Sequence, residues 1–115
     1  MDKIKLVIAN EKLIVNGHDV DLPHPPEQAF VYHDCIVVRV DVPVDVILDR
    51  NVFGVACHGD ILWQIEESPH GTEENKPYMS IYLSEADRLV ASNWNGVEYY
   101  VSPGDEKISV AAVPK

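Results

Sequence analysis

NVFGVACHGDILWQIE, residues 51–66, decides the fold. It reads as two strands joined at His58-Gly59. Glycine adopts positive φ freely, and histidine does so more often than most residues, as tight hairpin loops require. With a two-residue loop, Ala56 faces Ile61, Gly54 faces Trp63 and Val52 faces Ile65. That face is wholly apolar. The other face sets Phe53, Val55 and Cys57 against Gln64, Leu62 and Asp60, and is mixed. A strand glycine leaves room for a large ring, so Gly54 opposite Trp63 is consistent packing. A slip by one residue would bury the polar set, so the apolar pattern specifies the register.

The same logic extends in both directions. Residues 4–9 and 12–15 read as strands about Asn10-Glu11, and Asn16-Gly17 is the strongest hairpin dipeptide in the chain. It returns through residues 18–22, with Leu13 opposite Val20 and Val15 opposite His18. Pro23, Pro25 and Pro26 then stop pairing, because proline has no N–H for a ladder. Residues 28–32 and 35–42 form the next pair about His33-Asp34. Cys35-Ile-Val-Val-Arg-Val is rich in β-branched residues and reads as a central strand. Residues 43–50 read as an edge strand ending in a turn at Asp49-Arg50. Residues 68–77, with Pro69, Gly71 and Pro77, form the one long irregular segment. Strands follow at 78–83, 88–94, 97–101 and 107–113. A hairpin about Asn95-Gly96 places Trp94 against Val97, Ser92 against Tyr99 and Val90 against Val101 as a core face. Ala91 with Tyr100 and Asn93 with Glu98 fall outside. Ser84-Glu85-Ala86-Asp87 reads as a loop, because no 3.6-residue apolar period follows it.

Two segments echo each other. Residues 52–65, VFGVACHGDILWQI, and 97–110, VEYYVSPGDEKISV, each run strand, Gly-Asp turn, strand. Each follows strand material, at 29–42 and 79–94. The first, around Gly59-Asp60-Ile61-Leu62-Trp63, resembles a blade of the PQQ-type β-propeller repeats. The second matches less well, with Ile108 and Ser109 where Leu62 and Trp63 stand. The resemblance implies four-stranded antiparallel sheets and no particular cofactor. A closed propeller needs about four to eight blades, and the chain is too short for one. The expected fold is all-β and antiparallel, with short strands in two packed or strongly twisted sheets. The expected organisation is one domain over residues 1–115, with a meander at 1–22 and blade-like units at 28–67 and 78–113.

Charge narrows the function classes. Nine Lys and Arg against 19 Asp and Glu give a net charge of −10. Nucleic-acid backbones and anionic membranes call for clustered positive charge, so neither partner is expected. Asp2, Lys3 and Lys5 interrupt the N-terminus, and no apolar run approaches the ~18 residues that span a bilayer. The expected location is cytoplasmic. Cys35 and Cys57 make no disulfide framework and are expected as free thiols.

No catalytic constellation stands out, and no cofactor is expected. Gly59, Gly96 and Gly104 read as turn glycines rather than a phosphate cradle. Cys57 beside His58 invites a nucleophile reading, yet neighbours on a strand point to opposite faces, and Cys57 reads as a small buried thiol. A small enzyme or metal-binding protein would use His33, Cys57 or His58. The stronger pattern is aromatic. Tyr78 and Tyr82 share a face with Ser80, Tyr100 falls outside, and Glu73, Glu74 and Glu98 flank them. Aromatic side chains anchor interfaces. This surface points to protein binding without catalysis, to a basic partner or to self-association. An immunity-type antagonist of a basic toxin and a homo-oligomeric scaffold both suit it.

Overall fold

The computed structural model describes residues 4–67, 77–94, 96–102 and 108–112. Among them the chain is all-β and antiparallel, with no helix. Its strands are β1 (Leu6–Ala9), β2 (Lys12–Val15), β3 (His18–Asp19), β4 (Pro26–Tyr32), β5 (Cys35–Val40), β6 (Val52–Ala56), β7 (Ile61–Gln64), β8 (Tyr78–Leu83), β9 (Leu89–Asn93), β10 (Glu98–Val101) and β11 (Ile108–Ala112). They form three meanders. The first sheet is β1-β2-β3, the second β4-β5-β6-β7 and the third β11-β10-β9-β8. Two sheets were expected from the sequence. The N-terminal meander makes a third because the connector with Pro23 and Pro25 separates it from β4, whereas Pro26, expected to stop pairing, opens β4 opposite Val40.

Loop chemistry sets the registers. Asn10 and Glu11 have φ of +52° and +64°, and Asn16 and Gly17 have +50° and +82°. Positive φ at both central residues is the signature of a two-residue type I′ loop, whose twist matches that of the strands. Three later hairpins use a longer loop. In the β6–β7 connection Gly59 N donates to Ala56 O at 2.9 Å, and Ala56 N donates to Asp60 O at 2.8 Å. The loop is Cys57-His58-Gly59, a turn followed by a residue at positive φ, here +97°. Ser84 to Arg88 repeats the pattern with Asp87 at +59°, and Asn93 to Val97 repeats it with Gly96 at +88°.

The extra loop residue corrects two expected pairings. Gly54 does oppose Trp63, but a bulge after Gly54 sets Val55 opposite Ile61. In the β9–β10 hairpin, Tyr99 opposes Ala91 and Tyr100 opposes Val90. Trp94 therefore belongs to the turn and is 44% exposed, not packed in the core. Residues 43–50 are also not a strand. They carry a turn in which Val46 N donates to Pro43 O at 3.0 Å, and they connect β5 to β6.

The second sheet lies between the other two. Cys35 and Val37 of β5, Val52, Trp63 and Ile65 pack with Tyr78, Ile81, Leu89, Ala91, Tyr99 and Val101 of the third-sheet half. Ile36, Val38, Val40, Phe53 and Val55 point the other way, onto Leu13, Val15 and Val20. Both faces of β5 and β6 are buried, which explains the unbroken apolar run in β5. The face of β6 and β7 that looked mixed in sequence thus buries Phe53 and Val55 against the first sheet.

Side-chain amides fasten the third sheet to the second. Strand β8 is an edge strand, and unpaired edges are open to unwanted pairing. Tyr78 N donates to Asn51 Oδ1 and Asn51 Nδ2 donates to Tyr78 O, both at 2.8 Å. Ile81 N donates to Gln28 Oε1 at 3.0 Å, and Gln28 Nε2 donates to Ile81 O at 3.5 Å. Each amide offers one acceptor and one donor, as a neighbouring strand would. Tyr32 OH adds a bond to Asp87 O at 3.0 Å.

Candidate functional site: the outer face of the third sheet

The inner face of the third sheet is filled by the core, which leaves the outer face. Strand register assembles it in rows. Tyr82 of β8, Val90 of β9 and Tyr100 of β10 lie side by side, and Ser80, Ser92 and Glu98 form the next row. Adjacent residues across a sheet are close enough to interact. Glu98 Oε2 accepts hydrogen bonds from Tyr82 OH at 2.7 Å and Ser92 OH at 2.9 Å. Val90, between the two tyrosines, is only 2% exposed although it belongs to this face. Tyr82 itself is 39% exposed.

Arg88 completes the group. Its guanidinium carbon lies 3.5 Å from the centre of the Tyr100 ring, a cation–π contact. Among the described residues its N–H groups have no acceptor. A stacked guanidinium with free donors is pre-oriented for a carboxylate. The hydrogen bond to Glu98 holds the proton on Tyr82 and raises its pKa above the ordinary tyrosine value, with slight burial and the Glu98 charge acting the same way. Tyr82 is thus a donor fixed on a carboxylate rather than an acid poised to ionise. The arrangement can recognise a partner. Nothing in it forms a nucleophile and base pair.

The residues expected from the sequence separate here. Tyr82, Glu98 and Tyr100 come together on this face. Tyr78 does not. A bulge between Tyr78 and Ser80 shifts the alternation, so Tyr78 and Ile81 both point inward and Tyr78 is 0% exposed. Its hydroxyl donates to Glu66 O at 2.9 Å, and burial, with nearby Tyr99 and carboxylates, pushes its pKa well above the ordinary value. Glu73 and Glu74 lie outside the described residues. Arg88 and Ser92 were missed. Their signal was the Val90–Tyr100 pairing, which a two-residue loop at Asn95-Gly96 conceals.

The competing site residues are arranged otherwise. Cys57 is exposed in the three-residue loop, not buried on a strand, and its carbonyl accepts from Asn16 Nδ2 at 3.0 Å. His58 Nε2 lies 3.1 Å from Asp60 Oδ2. His33, at φ +55°, stacks edge-on against Tyr32. Among the described residues no group of three or more His, Cys, Asp or Glu could hold a metal ion. A groove of about 440 Å³ opens where β3 leaves β2, lined by Glu11, Lys12, Asp19, Asp21 and His24 with the proline connector. The two sides of its charge partly cancel, with Lys12 Nζ 3.9 Å from Asp19 Oδ2.

The arrangement is that of an all-β protein of stacked antiparallel meanders with one aromatic, charge-paired outer face. The family described as a domain of unknown function (DUF7957) matches residues 3–109, and the chain belongs to that family. No PQQ-type propeller is matched, so the likeness of residues 52–65 to a blade goes no further than the four-stranded meander. No curated protein matches the chain, and no solved structure does. Among the described residues no helix is long and apolar enough to cross a membrane.

Proposed function

We propose that the protein is a non-catalytic protein-binding module of the cytosol that docks through the outer face of its third sheet. One observation carries the reading: Arg88 is stacked on Tyr100 with no acceptor for its donors among the described residues, beside Tyr82 hydrogen-bonded to Glu98. Tyrosine and arginine are the residue types that dominate binding hot spots, and pre-oriented side chains lose little freedom on docking. The charge of −10 favours encounter with a basic protein, as an antagonist of a basic toxin requires. The face itself pairs one positive with one negative group and suits a homo-oligomeric scaffold.

The test is quantitative capture from the native host on three immobilised baits. These are the wild type, Tyr82→Ala with Tyr100→Ala, and His58→Ala on a different loop. Proteins kept by the wild type and His58→Ala but lost by the tyrosine double variant support the reading. Identical sets on all three would overturn it.

A further inference from the structure

We infer that the partner seated on the outer face of the third sheet is a second copy of this chain, related by a two-fold axis that lies in the plane of contact and runs across the strands. This rests on the docking reading above and names its partner.

The argument is the placement of the two charges. Val90 opposes Tyr100, and Ser92 opposes Glu98. Arg88 lies two residues from Val90 in one direction, and the Ser92–Glu98 pair lies two residues from it in the other. At about 3.3 Å per residue, each charge stands roughly 7 Å from the Val90–Tyr100 row, on opposite sides. Arg88 also leans over β10, the strand that carries Glu98. A two-fold through the Val90–Tyr100 row exchanges the two ends of the face. Arg88 of each copy then meets Glu98 of the other, twice over, as an isologous contact requires. Glu98 Oε2 already accepts two hydrogen bonds, and its second oxygen remains to receive the guanidinium. Tyr82 and Tyr100 fill the centre.

Sheet-on-sheet contact is also how the chain packs itself. The second sheet is covered by another sheet on each face. Pairing two third sheets repeats this contact once more. In a molecule of charge −10, a face whose described charged groups balance is the place where two copies can approach. The footprint is small. Four strands about 4.8 Å apart and some five residues long cover on the order of 300 Å². A standard interface takes about 800 Å² per partner, so the association is weak and depends on concentration.

Sedimentation of the full chain, from about 10 μM to 1 mM, tests this at two salt concentrations. Raising salt from about 0.01 to 0.15 M shortens the Debye length from about 30 to 8 Å. Two bodies of charge −10 repel less as that happens, so the dimer fraction is expected to rise. A basic partner would show the opposite trend. Arg88→Glu alone and Glu98→Arg alone set like charges against each other and are expected to weaken the dimer at least about tenfold. Their equimolar mixture pairs an all-acidic face with an all-basic one and is expected to restore it. Glu98→Gln, which keeps an acceptor for Tyr82 and Ser92, is expected to fall between. Melting curves establish that each variant is folded. A wild type that stays monomeric throughout overturns the second copy, and so does a mixture no more associated than its parts. Neither result touches the docking reading, which falls only if the tyrosine double variant captures what the wild type does.

Discussion

Gly54→Ala places one methyl group where the structure has no room. A Cβ on Gly54 would fall inside the contact radius of Trp63 Cε2 and Nε1, and 2.7 Å from Cδ2. The indole lies directly against the glycine and is itself 5% exposed, held among the residues that join the second and third sheets. The ring must therefore move within a close-packed layer. Overpacking of this kind costs about 1–3 kcal/mol. Complete loss of the indole, as in Trp63→Ala, costs about 3–5 kcal/mol. Gly54→Ala is expected near the top of the first range, about 2–3 kcal/mol. Against it stands only the roughly 0.4–1 kcal/mol that alanine returns by restricting the unfolded chain. The pair is not additive. Once Trp63 is alanine the obstacle is gone, and adding Gly54→Ala should cost nothing. A urea-denaturation cycle on the four proteins, followed by circular dichroism, gives a coupling of about 2 kcal/mol or more. Gly54→Ala within about 0.5 kcal/mol of wild type would refute the packing argument. So would an equal cost in both backgrounds.

Asn51→Ala removes both partners of the Tyr78 backbone, and at about 1–3 kcal/mol for each stranded buried group it should cost roughly 2–6 kcal/mol. An unchanged urea midpoint would mean that the amide does not fasten β8. Iodoacetamide with mass spectrometry should label exposed Cys57 first; Cys35 is slow because burial, helped by Asp34, raises its thiol pKa. Equal labelling rates would contradict the placement of Cys35. Tyr78 has its pKa raised in the fold by burial first, so its neutral form is favoured there. Its contribution to stability is full below the unfolded value of about 10 and is lost as pH rises beyond it. The melting temperature should therefore fall above about pH 10, and Tyr78→Phe should fall less steeply. The same fall in both proteins would assign the effect elsewhere.

Much of the fold is legible in the sequence because period-2 apolar patterns and Asn-Gly or Gly-Asp turns act locally. The ends of β8 and the pairing of Gly54 with Trp63 follow from those rules alone. What stays hidden is set by single residues of backbone. Asn95-Gly96 permits a two- or a three-residue loop, and the choice moves Tyr100 from Ala91 to Val90 and Trp94 from core to turn. The bulge at Met79 turns Tyr78 inward by the same mechanism. Neither has a compositional mark. Arg88 was invisible as a site residue because its partner, Tyr100, is found only once that register is known. The aromatic character of the face was legible; its charge pairing was not.

The most direct measurement of self-association through the outer face of the third sheet is a map of backbone amide shifts in the ¹⁵N-labelled protein as its own concentration is raised. The account predicts changes gathered on Tyr82, Arg88, Val90, Ser92, Glu98 and Tyr100, growing with salt and absent in Arg88→Glu. Changes gathered instead around the groove beside Asp19 and Asp21, or on the segment carrying Val44 and Ile47, would contradict it, as would no change at any concentration.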